Sequence, residues 1–142
     1  MYSLHPQLAA DTELVGRLPL SDVLLMNNAE LPWIILVPRI EGATEWHALR
    51  EDHRAQLHHE SILISQTLME RFNGDKLNVG SIGNMVPQLH VHHVVRYKSD
   101  SVWPKPVWGN IADQPYSPEV LEKMLSHLRK VLTKTGKMFR VD

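Results

Sequence analysis

The sequence predicts an α+β domain, an antiparallel sheet with helices packed on it. Three observations lead there. Short β-compatible runs lie next to one another, as hairpin partners do, on both sides of a long helical stretch. That stretch, Asp52 to Phe72, carries Leu57, Ile64, Leu68 and Phe72 roughly on one stripe. A second amphipathic stretch follows Ser117 and closes the chain.

Taken in order, Leu8 to Leu18 is expected as a short helix. Asp11 and Glu13 lie early in it and Arg17 late, as the helix dipole favours. Val23 to Met26 is apolar and β-compatible, and Asn27-Asn28 then signals a turn. Trp33 to Val37 is a continuous apolar run between Pro32 and Pro38, short and β-branched, as a buried strand requires. Asn73-Gly74 ends the long helix. Leu77 to Ile82 and Gln88 to Tyr97 are the next two strands, the second entered through Pro87. Ser99 to Gln114, with Trp103, Pro104, Pro106, Trp108 and Gly109, reads as an ordered loop. Ser117 caps the last helix with Pro118 at its first position. Leu121, Met124, Leu125, Leu128 and Leu132 form its stripe and Gly136 its end.

Composition limits what the chain can do. Its 142 residues suit one domain, 1–142, with no repeat or linker to divide it. Zero cysteines excludes disulfides, thiolate zinc sites and cysteine nucleophiles. Fifteen Lys and Arg against sixteen Asp and Glu leave no basic excess for a nucleic-acid backbone. The N-terminus lacks the basic-then-apolar order of a signal peptide, and no apolar run is long enough to span a bilayer. The expectation is a soluble cytoplasmic protein. Nine histidines are the unusual count.

Three of them fall together, His90, His92 and His93, in Gln88-Leu89-His90-Val91-His92-His93-Val94-Val95. On a strand, alternate side chains share a face. Gln88, His90, His92 and Val94 then point one way, with Leu89, Val91, His93 and Val95 toward the core. Members of the first row stand about 6.6 Å apart, a spacing that can bracket a phosphate. Neutral imidazole can attack phosphorus when its other nitrogen is held by an acceptor. The other histidines carry less. His58-His59-Glu60 lies on the long helix, where adjacent residues do not share a face, and reads as solvated surface. His93 reads as a partly buried histidine with one backbone partner. Trp103 and Trp108 read as packing or interface residues.

Gln88-x-His90-x-His92 followed by apolar positions resembles the histidine triad superfamily signature. Asn78-x-Gly80 with Gly83-Asn84-x-Val86 is similar to the segment that precedes the triad there. Leu31-Pro32-Trp33-Ile34-Ile35-Leu36-Val37-Pro38 is similar to its proline-bounded strand. Trp103-Pro104-x-Pro106-Val107-Trp108-Gly109 resembles the tail of a bacterial branch whose first triad position is Gln. The resemblance implies a HIT-like antiparallel β-sheet with one long helix packed on it and terminal helices. It implies a hydrolase or nucleotidyltransferase acting at the α-phosphate of a nucleoside phosphate derivative. His90 would be the nucleophile and His92 the phosphate-binding residue, with Gln88, at the first triad position, as the remaining catalytic residue. Asn78 and Asn84 match phosphate or leaving-group contacts. Asn27, with Asn28 as the alternative, matches a ribose contact. Neither cofactor nor metal is implied. The implied partners are a nucleotide substrate and a second copy of the chain in a homodimer, with the long helix and the tryptophan tail as interface elements.

The pattern departs from the family at three places. Gln88 replaces a histidine and cannot shuttle a proton near neutrality. Asn84 shortens a polar arm, and His93 stands where an apolar residue is usual. The first two favour an alternative, a nucleotide-binding module with weak or no turnover. A third reading, a metal-dependent hydrolase built on His90, His92 and His93, conflicts with strand geometry, which turns His93 away.

Overall fold

The computed structural model describes residues 1–136 and 138–141. Five strands form one antiparallel sheet: β1 (Thr12–Arg17), β2 (Ser21–Met26), β3 (Trp33–Pro38), β4 (Lys76–Gly80) and β5 (Val91–Arg96). Their order across the sheet is β1-β2-β3-β5-β4. Helix α1 is Pro6–Asp11, α2 is Glu51–Phe72 and α3 is Pro118–Thr133, with one 3₁₀ turn at Trp46–Ala48. The α+β architecture, with one long helix on an antiparallel sheet, is as the sequence predicts.

Period-two alternation sorts the sheet's side chains onto two covered faces. Val23, Leu25, Ile34, Leu36, Val91 and Val95 meet Leu57, Ile64 and Leu68 of α2 and the Leu125-Leu128-Leu132 stripe of α3. Leu24, Trp33, Ile35, Val37 and Val94 face the other way, under Leu8 and Val107. The apolar run of β3 is therefore buried throughout, as its composition requires. Asn73, not Gly74, takes the left-handed conformation that ends α2, at φ 52°. The Ser117 side chain caps α3 by accepting from the Val120 N–H.

The structure corrects four expectations. The helix expected over Leu8 to Leu18 ends at Asp11, and Thr12 onward is β1. Pairing with β2 from Thr12↔Met26 to Arg17↔Asp22 overrides the helix-like charge order of Asp11, Glu13 and Arg17, and the register shifts between Leu14 and Gly16. The last strand begins at Val91, not Gln88. Its partner β3 reaches the pairing limit at Leu36↔Val91, and the Leu89 N–H turns instead to the Ala43 carbonyl. Glu60 is not solvated. It is 2% exposed and accepts from the Leu20 N–H and Gln56 Nε2. His93 is fully rather than partly buried, and its Nε2 also lies 2.8 Å from Ser61 Oγ on α2.

Candidate active site

The site lies where the start of β5 meets the chain after β4 and the tryptophan tail. A hollow of ≈ 350 Å³ opens there, with His90 and His92 in its wall. Met26 and Trp33 come from β2 and β3, Ile82 to Val86 from the loop after β4, and Val107 to Gly109 and Ile111 from the tail. The order of strands makes this possible, because β5 lies between β3 and the edge strand β4, and both neighbours deliver walls.

His90 lies just before β5 and is 6% exposed. Its Nδ1 is 2.7 Å from the Gln88 carbonyl. A carbonyl oxygen only accepts, so Nδ1 carries the proton and Nε2 keeps its lone pair. His92 is 5% exposed and sits opposite Ile35 on β3 and Gly80 on β4. Its Nδ1 accepts the indole N–H of Trp33 at 3.0 Å. The two imidazoles stand edge to face, 4.9 Å between centroids. Trp108 stands edge-on to His92 at 5.4 Å. The indole packs over Gly80, where a Cβ would lie in contact with Trp108 Cη2 at 3.4 Å. Burial first, then the neighbouring His90 and His93, pushes the His92 pKa down to about 3.

Of the residues singled out in the sequence, His90, His92 and Asn84 share this hollow. The other four lie outside it. The Gln88 carboxamide is turned to the N-terminal segment, accepting from the His5 N–H at 2.8 Å and donating to the Ser3 carbonyl at 2.9 Å. Asn78 Oδ1 accepts from buried Arg96 at 2.8 Å. Asn27 and Asn28 line an adjoining hollow of ≈ 440 Å³, which shares Met26, Trp33 and Ile111 with the first. Asn27 Oδ1 accepts from the Tyr116 N–H, and Asn28 Nδ2 donates to the Ala112 carbonyl. His93 packs against α2 on the opposite face, so the three clustered histidines do not converge on one point.

Sequence spacing does not mark Trp33 as a site residue, and Trp108 reads from sequence only as a packing or interface residue. One signal was available for the first: an indole inside a buried apolar strand needs an acceptor for its N–H. For Trp108 no local signal exists.

A HIT domain model matches residues 7–99. A crystal structure of a histidine triad protein from Marinobacter aquaeolei superposes with TM-score 0.91 at 47% identity, covering 94% of this chain and 98% of that one. One from Bradyrhizobium japonicum gives 0.87 at 43% identity, covering 91% and 96%. One from Sinorhizobium meliloti gives 0.88 at 33% identity, covering 92% and 96%. None of the curated proteins matches. The chain belongs to the histidine triad family. Among the described residues, no helix is long and apolar enough to cross a membrane.

Proposed function

We propose that this protein is a nucleotidyl hydrolase or transferase that works through a histidine-bound nucleotide. The observation that carries the reading is the 2.7 Å contact between His90 Nδ1 and the Gln88 carbonyl, an oxygen that can only accept. The His90 Nδ1–H is committed to the Gln88 carbonyl, and the free Nε2 lone pair belongs to a side chain in the wall of a half-enclosed hollow. In the first step Nε2 attacks the α-phosphorus, the N–P bond forms and the bond to the leaving group breaks with its electron pair. In the second, water or another acceptor attacks the same phosphorus and gives its proton to solvent, while the N–P bond breaks and returns its electron pair to Nε2. His92 binds the phosphoryl oxygens beside it. Asn84 contributes a polar contact on the same wall. Asn27 or Asn28 holds the ribose in the adjoining hollow, and Asn78 acts through Arg96.

The leaving group takes the electron pair and needs a proton unless it is stable as an anion. Both polar ends of the Gln88 side chain are engaged with backbone. The reading therefore favours leaving groups that depart as anions, such as the carboxylate of an acyl nucleotide or a polyphosphate. Wild type and His90→Ala, incubated with acyl adenylate, dinucleoside polyphosphate and nucleoside phosphoramidate, test this. Turnover with a nucleotide mass adduct on His90, lost in His90→Ala, supports it. Equal hydrolysis by the variant ends it.

The engaged Gln88 amide also favours a second reading, a nucleotide-binding module with weak turnover. Tight nucleotide binding without any adduct on His90 would select that one.

The functional unit proposed is a homodimer. Strand β4 is an edge of the sheet, and exposed Val79, Ile82 and Met85 lie on and just after it. The opposite edge strand, β1, is bridged by the chain's own Arg140. Pairing of two copies along β4 would continue the sheet and cover those side chains. Val79→Lys, examined by sedimentation, should give monomers.

A further inference from the structure

We infer that Trp33 is a positioning residue of this site: its indole N–H fixes the His92 ring with the single proton on Nε2, a hydrogen-bond donor toward the phosphate. The inference rests on the proposed role of His92 in holding that phosphate. An indole nitrogen can only donate, so at 3.0 Å the His92 Nδ1 must present its lone pair. A neutral imidazole with Nδ1 occupied in this way carries its proton on Nε2. Both residues are buried, Trp33 at 4% and His92 at 5% exposure. Turning the ring over, or protonating Nδ1, would leave the indole donor unpaired where water does not reach.

The geometry comes from strand register. Trp33 pairs with Val94 and Ile35 with His92, so the indole reaches His92 diagonally from the adjacent strand on the same face. The ring centroids are 5.9 Å apart and inclined at 58°. Trp108 closes the other flank of the imidazole. The titratable neighbours are His90, at 4.9 Å between centroids, and His93, whose charge acts on His92 from the next position. Both oppose a positive His92. His92 therefore meets the phosphate as a neutral donor. The two histidines hold opposite arrangements: His90 donates through Nδ1 to a carbonyl, and His92 accepts through Nδ1 from an indole. One ring thus offers a lone pair at Nε2 and the other a proton.

The test is nitrogen NMR of the full chain labelled at histidine, with kinetics on the same samples. In wild type, His92 should show an unprotonated Nδ1 and a protonated Nε2, unchanged down to about pH 5. Trp33→Phe keeps the aromatic packing and removes the donor. Benzothienylalanine at position 33, with sulfur in place of N–H, serves the same purpose if Phe disturbs folding. Either should give a mixture of His92 tautomers. Either should also lower kcat by about tenfold, with KM within about twofold. An unchanged tautomer, or a lost tautomer with unchanged kcat, overturns the inference. A protonated Nδ1 in wild type also overturns it. Absence of turnover in wild type would end the nucleotidyl reading instead, and the tautomer in the two substituted chains would still decide whether Trp33 orients His92.

Discussion

The carboxamide oxygen of Gln88 accepts the backbone N–H of His5 at 2.8 Å, across 83 residues of sequence. At the position where the family pattern has a histidine, this chain has a clasp for its own N-terminal segment. The same side chain donates to the Ser3 carbonyl, so both ends of the amide are used. The segment it holds leads into α1 and then β1, which brings the sheet's edge strand into place.

Gln88→Ala should therefore act mainly on the N-terminal segment. Two partly exposed hydrogen bonds together contribute about 1 kcal/mol. The urea midpoint should fall accordingly with an unchanged slope, and amide exchange at His5 should accelerate. A large fall in turnover with no change in His5 exchange would show that the amide acts on substrate.

Stability should also fall with pH across the range where histidine ordinarily titrates. Burial pushes His92 down from 6.5 to about 3 and His93 to about 4, the latter opposed by the Ile34 and Val91 carbonyls. Both pKa values are depressed in the folded chain, so below 6.5 the unfolded chain binds protons that the folded chain does not. The stabilisation is complete above 6.5 and is lost progressively as pH falls toward 4. Each such group adds a slope of about 1.4 kcal/mol per pH unit. His93→Gln should remove one of the two slopes, which denaturant midpoints measured at intervals across that range will show.

How much of this was legible depends on whether the determining contact is local. The facing of His90 and His92 follows from alternation within one short segment, and the strand Trp33 to Val37 from its own composition. The start of β1 was not legible. Asp11 and Glu13 early and Arg17 late read as the charge order of a helix, and only pairing with β2 makes Thr12–Arg17 a strand. The wall around His92 was equally hidden. Trp33 lies 59 residues away from it in sequence, and its approach depends on which β3 residue stands opposite which β5 residue. The Gln88 clasp depends on a segment more than 80 residues distant. Motif spacing indicated Asn78 as a site residue, but the distant partner that engages its Oδ1, Arg96, could not be read from it.

Among the described residues Arg96 is the largest fully buried side chain, 1% exposed at the end of β5. Its guanidinium reaches Asp100 at 2.8 and 3.1 Å and Asn78 at 2.8 Å, with the Trp103 ring 5.6 Å away. Asp100→Ala would leave that cation buried with Asn78 as its remaining side-chain hydrogen-bond partner. A loss of about 3 kcal/mol is expected, against about 1 kcal/mol for Asn78→Ala, which leaves the ion pair intact. Chemical denaturation of the two variants checks the ranking. Equal losses would mean that the ion pair and the amide contact matter alike.

The depressed pKa of His92 has burial as its largest cause, and Trp108 supplies one side of that burial. β4 presents Gly80 opposite His92, where a Cβ would already touch the Trp108 ring at 3.4 Å, so a branched side chain would encroach on it. Trp108→Ala should open the hollow to water from the tail side. Solvent would then stabilise the imidazolium, and the His92 pKa should rise toward the ordinary histidine value. The Trp33 hydrogen bond remains in this variant, so the rise should stop short of 6.5. The hollow also loses an aromatic wall, and the affinity for nucleotide should drop about tenfold. Gly80→Val is the complementary substitution. It pushes the indole away rather than removing it, and should raise the His92 pKa in the same direction. Histidine NMR titration of both variants measures the effect. A His92 pKa unmoved in both would mean that β3 and the loop after β4 exclude water without help from the tryptophan tail.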